Sequence, residues 1–288
     1  VVKSTQQSKV PIDSPVISFN DRKLLHKQCR KYLTSLGIEE KEINGAILKA
    51  EKAQADYNRE ITEENKALLK TSIEEGKLSI LLAGRPYHSD PLIQHKVSDM
   101  LTEMGINVLT EDIVRQEEIN ISDTHFLAQW SYPNRIMRAA KWCTEQNKLI
   151  QFVQMTSFGC GPDAFIIDEV RELLLRNNKA YTLLKLDDIN NIGSMKLRVR
   201  SLVESLKIAN AGNEIKDKQE FVTTPIYNEE YLDRKIIVPF FTPFISPLIP
   251  AVFHIAGYNL ECLPISDETS GEYGLKYANN EVCYPATL

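Results

Sequence analysis

Ser79-Ile80-Leu81-Leu82-Ala83-Gly84-Arg85-Pro86-Tyr87-His88-Ser89-Asp90-Pro91 is where the chain changes character. An uncharged apolar run ends at a glycine, and the residues after it are rich in turn formers. Such a run, bounded by Gly and Pro, reads as a buried strand. The same alternation continues downstream. A helix is expected from Leu92 to Met104, closed by Gly105, and then a strand from Ile106 to Leu109. A helix from about Tyr132 to Gln146 precedes a strand from Leu149 to Met155 and the loop Thr156 to Pro162. A helix from Asp163 to Leu175, a strand from Ala180 to Leu186 and a helix from Ser194 to Leu206 complete the set. Strands alternating with helices in this way predict right-handed βαβ units on a parallel sheet, a Rossmann-like or flavodoxin-like α/β fold. Its ligands belong beyond the carboxyl ends of the strands.

Upstream, residues 1–19 read as a linker, and the stretch from Asn20, a candidate cap, to about Glu75 reads as helical. Leu24, Leu25, Cys29, Tyr32, Leu33 and Leu36 form one apolar helix face that Gly37 ends. A second helix runs through Ile43, Ile47, Ala50 and Tyr57, and a third from Ala67 to Ile73. Cys29 and His26 are expected to pack within this helical lead-in, which carries no chemistry. Downstream, residues 208–234 form a polar connector, after which the pattern repeats. Ile80-Leu81-Leu82 falls on Ile236-Ile237-Val238 at an offset of 156, and Gly105-Ile106-Asn107-Val108 on Gly257-Tyr258-Asn259-Leu260 at 152. The second offset also carries Ser131-Tyr132-Pro133 onto Cys283-Tyr284-Pro285. The expected organisation is a lead-in over 1–77, a complete α/β unit over 78–207, the connector over 208–234 and a truncated second α/β unit over 235–288. Two strands and one helix cannot bury a sheet alone. Because the sequence opens Val1-Val2-Lys3 rather than on Met, it reads as cut from something larger.

The chain has 288 residues, 43% hydrophobic and 25% charged, which excludes wholesale disorder and a fibrous repeat. A net charge of −5 gives nucleic acid no basic field to meet. Five cysteines, an odd and scattered number without a secretory leader, point to thiols in a reducing compartment, and so to the cytoplasm. Residues 236–260 carry no formal charge, but Pro239, Pro243, Pro247 and Pro250 break any membrane-spanning helix there.

Candidate chemistry lies on the strand-to-helix loops. In Gly159-Cys160-Gly161-Pro162-Asp163 the sulfur has room, and a helix N-terminus favours its thiolate. That suits a nucleophile or a metal ligand, and a small cysteine buried in a tight turn would look the same. Cys283 leaves the same end of a parallel sheet, and soft metals and iron–sulfur clusters take thiolates from such loops. Two thiols do not complete a cluster. Cys143 and Cys262 read as core. Arg85 offers a planar fork to phosphate or carboxylate and His88 a proton shuttle, against an internal salt bridge and a turn histidine. Arg135, Arg138 and Lys141 share a helix face that steers an anion or is simply solvated. Asp187-Asp188 and Asn190-Asn191-Ile192-Gly193-Ser194 hold a ligand by backbone amides or cap a helix. The chain contains no phosphate-binding loop with a lysine, no GxGxxG, no HExxH and no GxSxG.

Taken together, Gly84-Arg85-Pro86-Tyr87-His88-x-Asp90-Pro91, Leu109-Thr110-Glu111-Asp112, Gln129-Trp130-Ser131-Tyr132, Ser157-Phe158-Gly159-Cys160-Gly161-Pro162-Asp163 and Asn279-Asn280-x-x-Cys283-Tyr284-Pro285 resemble the CoA-substrate-specific enzyme activase family. Its members are related to the activator and dehydratase components of 2-hydroxyacyl-CoA dehydratases. The resemblance implies a large protein joining sugar-kinase-like ATPase modules to a cysteine-rich, dehydratase-like region, of which this chain is a connecting part and the start of that region. It makes Cys160 and Cys283 ligands of an iron–sulfur cluster in the intact protein. Arg85, His88 and Asp163 become the candidates for holding a cofactor or a substrate group such as a CoA ester. ATP is not expected on this chain, and its partners are the other modules of the same polypeptide, with neither nucleic acid nor membrane. The isolated stretch is not expected to be active. Two further readings are a scaffold that couples an ATPase module to a catalytic one, and a small-anion-binding Rossmann-like module.

Overall fold

The computed structural model describes residues 13–125, 130–157, 162–186, 192–211, 228–278 and 284–288. The chain divides into two compact units, Val1–Glu63 and Glu64–Leu288. In the first, α1 (Arg22–Ser35) is capped by Asp21 rather than Asn20, its carboxylate accepting the Leu24 N–H at 2.7 Å. Gly37 ends the helix in the left-handed region, with φ 86°. The next helix, α2 (Glu40–Glu74), returns alongside α1. Arg22 grips Glu51 with two bonds of 2.7 Å, and His26 Nε2 meets the same carboxylate at 2.8 Å. These bonds, Arg22's first, hold the Glu51 carboxyl down to about 2.

The sequence predicts two helices where α2 is one. Residues 58–66 contain neither Gly nor Pro, so nothing breaks the helix. The apolar stripe fades there because the buried positions are polar. Thr62 bonds back to the Asn58 carbonyl, and Asn65 serves the sheet.

In the second unit β1 (Ser79–Ala83), β2 (Asn107–Thr110), β3 (Ile150–Thr156) and β4 (Tyr181–Lys185) form a parallel sheet in the order β2-β1-β3-β4. Leu81 lies opposite Leu109 on one side and Phe152 on the other, and Val153 lies opposite Thr182. Apolar residues alternate between two layers. Leu81 and Phe152 pack on α4 (Ser131–Thr144) and α5 (Pro162–Arg176). Ile80 and Val153 pack on α3 (Val97–Glu103) and α6 (Ile192–Ala211). Helices on both faces are what a sheet buried on both sides requires, and the expected Rossmann-like or flavodoxin-like α/β class holds. The chain reverses its winding between β1 and β3, the position where this topology opens a crevice.

The helix predicted from Leu92 to Met104 is only seven residues long. Asp90 accepts the Leu92 and Ile93 N–H groups and starts a turn. His95 and Lys96, with φ of 51° and 58°, break it, and the Gln94 side chain re-caps the chain at Ser98.

Residues 228–288 hold the second α/β piece: β5 (Ile236–Val238), α7 (Leu248–Ile255) and β6 (Leu260–Cys262), the two strands parallel. The repeat reaches the backbone, since Gly105 and Gly257 both turn with positive φ, 76° and 88°, before the second strand of each α/β repeat. A helix not foreseen, α8 (Glu268–Tyr277), opens on a capping box between Asp267 and Ser270. It is followed by α9 (Tyr284–Thr287). Cys262 is half-buried rather than core, because β6 is a three-residue strand with a neighbour on one side only among the described residues. Among the described residues no helix is long and apolar enough to cross a membrane.

Candidate functional site

The carboxyl ends of β1 and β3 meet at the reversal of winding, and the loops leaving them are tied together. After β1, Pro86–Ser89 forms a tight 3₁₀ turn that sends the His88 ring inward until it is fully buried. The ring lies against Gly84: a Cβ there would come within 2.6 Å of His88 Nδ1, so this close approach needs glycine. Nδ1 accepts the Arg85 N–H at 3.1 Å, which leaves the proton of the neutral ring on Nε2. Nε2 then donates to Ser157 Oγ at 2.8 Å, where β3 ends. Burial pushes His88 down to about 4, and the nearby Arg85 guanidinium acts in the same direction against the opposing pull of Asp163. His88 is therefore a neutral strut between the two loops at physiological pH. The Tyr87 ring stands edge-on to it, with centroids 4.4 Å apart.

A second rung runs beside the first. Arg85 Nε donates to Asp163 Oδ2 at 2.8 Å, from the β1 loop to the first turn of α5. Asp163 is buried, and its other oxygen, Oδ1, has no hydrogen-bond partner among the described residues. The structure thus brings Arg85, His88 and Asp163 together. Ser157, at the end of β3, is a partner to which the sequence pattern assigns no chemistry. Only its place in a loop after a strand could have signalled it. Cys160 and Cys283 lie outside the described residues, as do residues 187–191 of the loop after β4.

At the end of β2 a third group assembles. Arg135, in the second turn of α4, reaches Asp112 at 2.8 Å and Glu111 at 3.5 Å. Asp112 also binds Arg115 Nε at 3.0 Å. Glu111 is buried with the smaller share of that guanidinium, and desolvation pushes its carboxyl up to about 7 despite Arg135. The face carrying Arg135, Arg138 and Lys141 is neither a solvated stripe nor an open anion site. Arg138 donates to the Glu117 carbonyl, and Lys141 pairs with Asp123 at 2.6 Å. The loop between β2 and α4 folds back onto the helix and uses these cations as clasps.

Among the described residues no group of three or more His, Cys, Asp or Glu could hold a metal ion. Cys143 is buried as expected, its thiol directed at the Ile150 carbonyl at 3.6 Å. Burial pushes it up to about 11, so it stays a protonated thiol near neutral pH. Lys179 donates to the same carbonyl at 2.8 Å, its own pKa lowered by burial.

Among known protein families, the model described as the CoA enzyme activase uncharacterised domain matches residues 1–114. The resemblance read from the loops is borne out over that stretch, which takes in α1, α2, β1, Arg85, His88, β2 and Glu111 and stops before Asp163. No curated protein and no solved structure matches the chain.

Proposed function

We propose, from the premise that residues 1–114 carry the CoA enzyme activase uncharacterised domain, that this chain belongs to an activase/dehydratase-like iron–sulfur protein supporting ATP-driven electron transfer for CoA-ester chemistry. One observation carries the reading. The two rungs His88–Ser157 and Arg85–Asp163 fix both flanks of the stretch that contains Cys160, at the crevice where this topology binds ligands. Cys160 and Cys283 are the ligands we assign. The remaining ligands, as the resemblance implies, belong to the cysteine-rich region of the intact polypeptide. When bound, the cluster supplies one-electron transfer. The chain's own residues hold the two flanks: His88 stays neutral and holds Ser157, while Arg85 holds one oxygen of Asp163. The buried Oδ1 of Asp163 is left to accept a donor from a bound substrate group. ATP belongs to another module, since the chain has no phosphate-binding loop.

The test is anaerobic reconstitution of the intact polypeptide with iron and sulfide, read by visible absorption and EPR. Cys160→Ala and Cys283→Ala should each lower cluster content. Unchanged content in both sinks the ligand assignment. A second reading, a cofactor-free scaffold coupling an ATPase to a catalytic module, draws on the way His88 spends both ring nitrogens on its own chain. Electron transfer that persists after Cys160→Ala favours that scaffold, and its loss together with the cluster excludes it.

A further inference from the structure

Helix α1 is capped at both ends but buries none of its residues. Alongside it, α2 buries Ile43 and Ile47 in the same compact unit. Between the two helices lies a cavity of about 660 Å³, the size of a small-molecule site. Phe19, Leu25, Cys29, Ile47 and Ala50 give it an apolar wall. Glu51 is its one carboxylate among the described residues, and Arg22 and His26 already hold it. A second cavity, of about 410 Å³, shares Arg22 with the first and is lined by Lys23, His26, Lys27 and Arg30. Round α1, at about 100° per residue, Leu25 and Cys29 are followed by Arg22, His26, Arg30 and then Lys23. The apolar wall thus passes into a cationic one. Arg30 reaches the exposed Glu40 at 3.5 Å, and Lys23 and Lys27 pair with no carboxylate among the described residues.

We propose that this hairpin binds a soluble phosphate ester with an apolar chain, the chain in the larger cavity and the phosphate on the cations of α1. Two observations select that occupant. The first is the order of the lining, because one molecule meets both parts only if it is apolar at one end and anionic at the other. The second is the number of cations. Helix α1 holds five Lys and Arg and no Asp or Glu. A phosphate, with more than one charge and several acceptor oxygens, engages several of them at once. A protein segment in its place would have to bring a doubly charged group beside an apolar one, which no unmodified side chain does. Residues 1–12 in particular carry Lys3 and Lys9 and no carboxylate, so they would set cation against cation.

Isothermal titration calorimetry of the 288-residue chain with octyl phosphate, from about 1 μM to about 1 mM, tests this. We expect saturable binding that weakens as salt rises. Octanol and inorganic phosphate should each bind at least tenfold more weakly, the first for want of charge and the second for want of a chain. Ala50→Phe narrows the cavity, and Lys23→Glu combined with Lys27→Glu reverses the charge. Each variant should weaken octyl phosphate at least tenfold. Far-UV circular dichroism should stay unchanged, since all three positions are exposed. A chain that takes up no octyl phosphate overturns the proposal, as does binding that either variant leaves intact. Octanol or inorganic phosphate binding as tightly as octyl phosphate also overturns it. So does a chain that ignores octyl phosphate but sediments with phosphatidate vesicles, which makes a lipid surface the partner.

Discussion

At Ser157 one hydroxyl decides whether a buried imidazole has a partner. Ser157→Ala leaves the His88 Nε2–H inside the protein with nothing to accept it, and such a donor costs about 1–3 kcal/mol. Urea unfolding should show a lower midpoint with an unchanged slope. Two other side chains make stability depend on pH, with opposite signs. His88 falls from its ordinary 6.5 to about 4 in the folded chain, so its contribution is complete above pH 6.5 and drains away as pH falls towards 4. Glu111 rises from 4.5 to about 7, so its contribution is complete below pH 4.5 and is lost as pH climbs through 7. Each amounts to a few kcal/mol, at about 1.4 kcal/mol per pH unit of displacement. Unfolding measured across pH 4 to 8 should show the two opposing each other between about 4.5 and 6.5. Glu111→Gln should abolish the decline towards pH 7 and leave the acid-side loss in place.

Among the elements, the edge strand β2 shows how polar residues on a helix can serve a sheet. Asn65 on α2 accepts the Thr110 N–H at 2.8 Å and donates to Thr110 Oγ1 at 3.3 Å, and Ser72 accepts from Asn107 Nδ2 at 2.7 Å. An edge with its groups satisfied in this way offers less of a template to a foreign strand. Asn65→Ala should cost about 1–2 kcal/mol and lower hydrogen-exchange protection of the Thr110 amide, roughly tenfold for each 1.4 kcal/mol. Strands such as Ile80-Leu81-Leu82 and Phe152-Val153 were legible because buried parallel strands are simply apolar, and Pro162 and Gly105 marked helix ends by their backbone requirements. The continuity of α2 was not legible, because Thr62 and Asn65 put polar atoms where a periodic pattern expects apolar ones. Nor was α8, whose signal was a capping box rather than a stripe. At the site, the strand-to-helix loops put forward Arg85, His88 and Asp163 as candidates, but not that they brace one another. Ser157 and His88 are 69 residues apart, and that bond exists only once β1 and β3 are neighbours.

For the molecule as a whole, the separation into units falls within a helix. Residues up to Glu63 cluster with α1, and those from Glu64 cluster with the sheet, yet α2 runs through both without a break. Ala55→Pro, at an exposed position in that helix, should cost about 3 kcal/mol. It should remove far-UV helical signal while amide protection in β1 and β3 survives. The unbroken helix also bears on how the amino-terminal hairpin forms at all. A helix in isolation must first order three residues for a single hydrogen bond, an event with a statistical weight of about one in a thousand. Once residues 64–74 are ordered on the sheet, the remainder of α2 grows from an existing turn. The hairpin is then extended from a seed rather than started anew, and α1 needs only to find a rod already standing.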